Sequence, residues 1–377
     1  MTPQRALVLA AIVVLALGLA MPASALPQWA RRYNVSCTTC HAWPSEQLTA
    51  TGLDFLRRGH RLKGDGFDKD FTHLLSAHVE WQYSFAQGAT NQFNKPEFHL
   101  HGGGALAETF SGYFDVNVNN DVEAAYLQFT KEHGDDSYFT MRGGKLNPTI
   151  IRNYAGGLAV SASIPLVFAG TTLGLNPFTA NQARLGVDLG GRVKNLFVQG
   201  GVVNGEDVPA QATVNHHKDY YGTAEVTAPD GVSGVGLYYY HGAYDLGDPA
   251  AGPVLLDSYY RSALFANFTH DRFRVAAAYL VGKDKVRTLP DRKIHGYYAL
   301  VEFRPGGWWV PFARYDDATT EFETGKDHVR QGTLGVALQL FMTESSSARV
   351  ALELARSSDP SIHTNTNSGL LNLVWAF

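Results

Sequence analysis

The sequence predicts an all-β fold: an antiparallel transmembrane β-barrel of about sixteen strands behind a small α-helical unit. Two observations predict the barrel. From residue 74 onward the hydrophobic pattern has period two, so that Ser111, Tyr113, Asp115 and Asn117 alternate with Gly112, Phe114, Val116 and Val118. The alternating stretches last about 10–13 residues between turn residues, and no apolar run of about 18–20 residues follows the amino-terminal segment. A third observation predicts the separate unit: the pentapeptide Cys37-Thr38-Thr39-Cys40-His41 precedes the first strand and holds both cysteines of the chain.

Residues 1–25 read as a secretion signal. Arg5 supplies the charged start, the run 6–20 is apolar, and Ala23-Ser24-Ala25 is a small-x-small cleavage site. Its removal takes the formal net charge from −4 to −5. A mildly acidic chain offers no basic face, which argues against nucleic acid as a partner.

Residues 26–73 form the short first unit. The CxxCH spacing lets two thiols add across the vinyl groups of one haem while the adjacent imidazole binds its iron. Cys37 and Cys40 are therefore expected to attach one covalent haem c, with His41 as proximal ligand. An ordinary disulfide or a thioredoxin-type CxxC is the plainer use, but the latter needs a βαβ setting that this sequence lacks. Export fits haem attachment, which takes place outside the cytoplasm. The spacing predicts a helix over 45–59, with Leu48, Gly52, Leu53, Phe55, Leu56 and Gly59 on one side and Arg57 and Arg58 left to solvent. Gly59 is the expected C-cap. His60 follows directly and is the expected sixth iron ligand; His73, His78, a methionine or an iron with no sixth ligand are the alternatives. Met141 and Met342, the methionines beyond the signal, fall in or beside strands.

The barrel, 74–377, is expected to have strands at 74–86, 97–106, 109–118, 122–132, 136–146, 181–190, 194–205, 217–228, 232–243, 258–270, 272–284, 293–305, 307–316, 328–341, 346–358 and 366–377. The connections after even-numbered strands are very short, including 133–135, 229–231, Asp271 and Gly306, and most of the others are longer. Short periplasmic turns and long outside loops are the outer-membrane pattern, and they put both barrel ends in the periplasm. Loop 147–180 is far the longest, and its apolar run 158–170 reads as an inward-folded constriction or plug, or else as an extra strand pair. The doublets Tyr220-Tyr221, Tyr259-Tyr260, Tyr297-Tyr298 and Trp308-Trp309 read as membrane-interface girdles. Trp375 and the terminal Phe377 resemble the assembly signal of bacterial outer-membrane barrels.

The strands are expected to turn His78, Glu80, His99, His101, Asp115, Arg142, Arg184, Asp188, Arg274, Glu302, Arg304, Arg314 and Glu353 inward, as a wet lumen or as paired ladders. Glu97, His99 and His101 share a face and form a candidate metal site, since imidazole and carboxylate suit iron. The outside loops are expected to be acidic, with Glu206, Asp207, Asp245 and Asp248 in two of them. Residues 317–327 are expected to form a third. The sequence contains no GxSxG, P-loop or HExxH pattern, so redox chemistry is the one reaction it supports.

Ala25-Leu26-Pro27-Gln28-Trp29-Ala30-Arg31, the CxxCH motif, Pro44, Gly52, Phe55 and Gly59 together resemble the head of the fused outer-membrane monohaem cytochrome c–porins, which include the iron-oxidising cytochromes of iron bacteria. The detailed resemblance covers the first 60 residues or so. It implies one haem c in a small N-terminal domain plugging a sixteen-stranded barrel in the outer membrane of a Gram-negative bacterium. The haem would lie on the periplasmic side or in the lumen. It also implies an electron conduit between an extracellular donor or acceptor and a periplasmic c-type cytochrome or other electron carrier. Fe(II) as the donor would make the protein an iron oxidase. A solute porin with a structural or sensory haem is the alternative.

Overall fold

A computed structural model describes residues 28–42, 47–70, 73–88, 91–94, 96–118, 122–134, 136–147, 160–169, 174–176, 178–180, 182–205, 217–246, 255–342, 346–359 and 364–377. The secretion signal, Pro44, Glu206, Asp207 and Asp248 lie outside these residues. No helix among them is long and apolar enough to cross a membrane.

One antiparallel sheet dominates. Its strands are β1 (Leu75–Ala86), β2 (Gln92–Phe93), β3 (Glu97–Ala105), β4 (Phe110–Asn117), β5 (Val122–Glu132), β6 (Ser137–Leu146), β7 (Arg184–Val193), β8 (Leu196–Asn204) and β9 (Lys218–Thr227). They continue with β10 (Gly234–Leu246), β11 (Leu255–His270), β12 (Phe273–Val286), β13 (Arg292–Phe303), β14 (Trp309–Phe322), β15 (Gly325–Met342), β16 (Ser347–Asp359) and β17 (Thr364–Ala376). β2 is a two-residue addition, and the other sixteen strands pair in chain order. β17 returns to β1, with Ala376 opposite His78 and Leu370 opposite Ser84, so the sheet closes. Closure pairs every strand edge, which is what lets a sheet stand in lipid. The terminal Phe377 exchanges two backbone hydrogen bonds with Ala77, each 2.9 Å long.

The period-two pattern becomes the two faces of the wall. In β11, Leu256, Tyr260, Leu264 and Phe268 face outward, while Asp257, Tyr259, Arg261, Phe265 and Asn267 are buried inside. Inside, charges are paired. Arg142 clasps Asp188 with contacts of 3.0 and 2.6 Å, Arg261 meets Asp284 at 2.7 Å, and Arg314 meets Asp316 at 2.7 Å.

The same alternation corrects the reading of the aromatic doublets. Tyr221, Tyr259 and Tyr298 are buried in the lumen, and their neighbours Tyr220, Tyr260 and Tyr297 face out. Consecutive residues of a strand point to opposite faces, so a doublet within a strand puts one ring in any girdle. Both rings of Trp308-Trp309, at a strand end, are exposed. The acidic stretch 317–327 is also not a long loop. β14 runs to Phe322 and β15 starts at Gly325, leaving a hairpin at Glu323-Thr324. The acidic side chains there alternate with Ala318, Thr320 and Phe322, and β pairing extends the hairpin to its tip.

The described part of the long loop folds into the lumen. A 3-10 turn at Leu166–Phe168 packs Val167 and Phe168 against the inner faces of β13 and β14. The Leu166 N–H donates to Asp316 at 3.1 Å, the Leu175 N–H to Asp284 at 2.6 Å, and Asn176 Nδ2 to Asp257 at 2.7 Å. Phe178 lies 4.7 Å from Tyr240, ring centre to ring centre. Of the two readings of this loop, the inward-folded one is what these residues form.

Candidate functional site

The helical unit sits inside the barrel, at the end with short turns. It contains α1 (Gln28–Tyr33), a 3-10 turn at Cys37–Thr39 and α2 (Ala50–Arg57). α2 is shorter than the expected helix over 45–59. Thr49 is its N-cap, its hydroxyl accepting from the Gly52 N–H at 3.1 Å, and Leu48 pairs with His41 in an isolated bridge. Its C-terminus follows expectation. The Gly59 N–H donates to Leu56 at 3.1 Å and the His60 N–H to Phe55 at 2.9 Å, with Gly59 at φ +81° and His60 at φ +61°. This is the paired-bond Schellman end, and it reverses the chain at His60.

The CxxCH element is held by that helix. Ser36 caps the 3-10 turn, accepting from the Thr38 N–H at 3.3 Å. The Thr49 hydroxyl donates to the Thr39 carbonyl at 2.6 Å, and the Thr49 N–H donates to the Cys40 carbonyl at 2.9 Å. Gly52 lies against the same carbonyl, and a Cβ there would come within 2.1 Å of the Cys40 oxygen. Both cysteines are free thiols of intermediate exposure. Burial raises the Cys37 pKa, and burial followed by the neighbouring Cys37 pushes Cys40 up to about 11. A thioredoxin-type pair needs the opposite, a thiolate stabilised near neutrality. Two neutral thiols on one turn beside an imidazole are the donor set that fits covalent haem attachment at Cys37, Cys40 and His41.

The seat of the unit is polar and buried. Arg57 pairs with Glu225 of β9 at 2.8 Å and lies 4.0 Å over the ring of Phe197. Arg58 pairs with Asp54 at 2.6 Å and with Glu132 of β5, and it lies over Tyr138. Asp54 meets Arg192 of β7 at 3.0 Å, and Arg304 donates to Gln47. Arg57 and Arg58 are thus not left to solvent, because the barrel wall encloses both sides of α2. Gln128 Nε2 donates to the Arg57 carbonyl at 2.9 Å, and the Trp29 indole donates to Gly103 at 3.1 Å.

His60 is fully enclosed. Its ring is stacked on Trp29 at 4.7 Å and on Tyr113 of β4 at 4.2 Å, within 15° and 17° of parallel. The Tyr126 hydroxyl meets its Nδ1 at 3.3 Å, so Nε2 is the nitrogen that remains for a metal. Burial first, then Arg142 and His101, lower its pKa to about 3, so the imidazole is neutral. The alternative ligands have other partners. His73 contacts Asp68 at 2.7 Å and Asp70 at 3.6 Å, and His78 lies against His101 at 2.6 Å.

Sequence reasoning named the cysteines, His41 and His60 of this unit but missed Trp29, Tyr113, Tyr126, Glu132 and Glu225 as its surroundings. Trp29 had a signal, standing in a short aromatic-basic helix with no core of its own. The wall residues had none, since they read as ordinary inward positions.

No family model matches the sequence, and no curated protein matches it significantly. Solved structures do resemble it. In vitro folded OmpT, an outer-membrane protein of Vibrio cholerae, aligns with 12% identity and a TM-score of 0.57 over 80% of this chain and 96% of that one. The anion-selective porin from Comamonas acidovorans aligns with 10% identity and a TM-score of 0.57 over 80% and 98%. The outer-membrane channel DcaP of Acinetobacter baumannii gives 8% identity and the same score over 80% and 96%. At these identities the likeness is one of fold. The chain has the closed sixteen-stranded β-barrel of outer-membrane porins, with a short helical segment at its amino terminus.

Proposed function

We propose that this chain is an outer-membrane electron conduit: a barrel occupied by its own CxxCH segment, carrying one covalent haem c. Electrons would pass between an extracellular donor or acceptor, with Fe(II) the leading donor, and a periplasmic c-type cytochrome or other carrier. The carrying observation is the seating of the Cys37–His41 element inside the barrel mouth by the buried Arg57–Glu225 pair. About 48 residues are too few to enclose a haem with a core of their own, so the wall must complete the shell. A haem c bonded there would supply one-electron transfer. Cys37 and Cys40 would hold it, His41 would bind the iron from one side, and His60 is the candidate for the other. The His60 ring is fixed by Trp29 and Tyr113, and its Nδ1 is oriented by Tyr126, the kind of outer contact that sets a ligating imidazole.

A solute porin with a structural or sensory haem is the second reading, favoured by the fold shared with porins such as the anion-selective one of Comamonas acidovorans. Liposomes holding the purified, haem-matured protein separate the two, with an impermeant reductant outside and a c-type cytochrome inside. Reduction of the inner cytochrome without solute efflux supports the conduit, and efflux without reduction overturns it. Haem attachment is checked beforehand by a one-haem mass gain that disappears in Cys37→Ala/Cys40→Ala.

A further inference from the structure

His78, His99 and His101 meet on the inner wall through strand register alone. His99 and His101 are two residues apart on β3 and so share a face. His78 of β1 is the direct cross-strand partner of His99, and Asp115 of β4 is the direct partner of His101. The His78 and His99 rings stack at 4.3 Å, and the three imidazoles each bring a nitrogen within 4.8 Å of the others. His78 Nδ1 and His101 Nε2 are 2.6 Å apart and share a hydrogen bond.

We propose that these three histidines bind a divalent late first-row transition metal ion inside the barrel. Zn, Fe, Co, Ni and Cu are the ions that imidazole suits. A tetrahedral site with metal–nitrogen bonds of about 2.0–2.1 Å needs nitrogens about 3.3 Å apart. The His78–His101 pair lies at 2.6 Å and all three residues offer a nitrogen within 4.8 Å, and the stacked rings must turn to aim their in-plane lone pairs at one ion. The outer contacts are those of a metal centre. Asp115 meets Nδ1 of His99 at 3.0 Å and Nδ1 of His101 at 3.6 Å. The Tyr113 hydroxyl also meets His101 Nδ1, at 3.3 Å. These contacts occupy both Nδ1 atoms and leave the Nε2 atoms to ligate, that of His101 already facing His78, the carboxylate–histidine arrangement that orients ligands and raises their basicity. Glu97 and Glu123 lie 3.4 and 4.0 Å from His99 Nε2, are half exposed to the lumen, and add the negative charge that a dication requires. For both facing nitrogens to ligate, the proton between His78 and His101 moves to the other nitrogen of its ring, leaving two neutral imidazoles.

All of these ligands belong to the barrel, so the site stands whether or not haem is attached. The site also adjoins the proposed conduit, because Tyr113 contacts His101 and stacks on His60.

The test is a Co(II) titration of the full-length protein in detergent, purified without a polyhistidine tag. It is run on the haem-matured chain and on Cys37→Ala/Cys40→Ala, which removes the competing thiols. One Co(II) per chain with visible tetrahedral bands, displaced by Zn(II), is expected in both. His99→Ala/His101→Ala should abolish binding, and Asp115→Asn should weaken it by about 10–100-fold. His241→Ala, at an exposed position, should leave it unchanged. Circular dichroism confirms that each variant retains the barrel. The proposal is overturned if no saturable site appears in the folded chain, or if binding survives His99→Ala/His101→Ala. Either result leaves the haem reading untouched, because that is read from the mass gain.

Discussion

Glu225 of the barrel wall holds the guanidinium of Arg57 at 2.8 Å, across 168 residues of sequence, and both side chains are buried. A pair of this kind does not earn its place by strength alone, since desolvating both ions offsets most of their attraction. It fixes position, because the helix cannot shift by a turn without stranding a charge.

Glu225→Gln strands that charge. Breaking one side of a buried pair costs about 3–5 kcal/mol, enough to undock a short segment. Trypsin should then cut at Arg57 or Arg58, and single-channel conductance in a planar bilayer should rise several-fold. Arg57→Met/Glu225→Leu, which buries no charge, should be milder on both measures. Unchanged protection and conductance in Glu225→Gln would show that the pair does not hold the segment.

His60→Ala should turn a low-spin haem high-spin while the haem stays covalently bound, and it should shift the reduction potential because axial ligation sets that potential. Optical and paramagnetic resonance spectra of the matured protein read the change. An unaltered low-spin spectrum refutes His60 as sixth ligand and leaves it as a packing residue between Trp29 and Tyr113.

In Cys37→Ala/Cys40→Ala no haem iron can hold His60, and the docked segment should become pH-sensitive. The enclosed imidazole stays neutral down to about pH 3, whereas the released one takes up a proton near 6.5. The released state therefore binds more protons between those values. Docking should weaken as pH falls through that window, by at most about 1.4 kcal/mol per pH unit, and be flat above it. Protease protection measured against urea at several pH values gives the slope. His60→Phe should flatten it, and an equally steep slope in that variant would assign the effect elsewhere.

The hairpin at Glu323-Thr324 should face outside and the turn around Gly134 should face the periplasm. An epitope inserted between Glu323 and Thr324 should be detected on intact cells, and one inserted at Gly134 only after the outer membrane is opened. The reverse labelling would invert the barrel and put the CxxCH segment on the cell surface.

The sequence alone determined the barrel and displayed the CxxCH motif. Each of its sixteen expected strands has its counterpart, because period-two alternation is enforced locally by which face meets lipid. The largest displacement was the expected 307–316, found as Trp309–Phe322, where pairing with β15 continues to the hairpin tip. CxxCH was equally legible, since haem attachment needs those three groups within five consecutive residues. Tertiary structure alone decided what surrounds the motif. Arg57 and Arg58 read as solvated because a helix normally keeps its charged side in water, and only closure of the barrel around α2 gave those charges Glu225, Glu132 and Asp54 as partners. The meeting of His78 with His99 and His101, and of Tyr113 with His60, depends on strand register and on where the N-terminal segment docks. Neither leaves a mark on the local pattern, because contacts between residues far apart in the chain are fixed by the closed sheet and not by the neighbours of each residue.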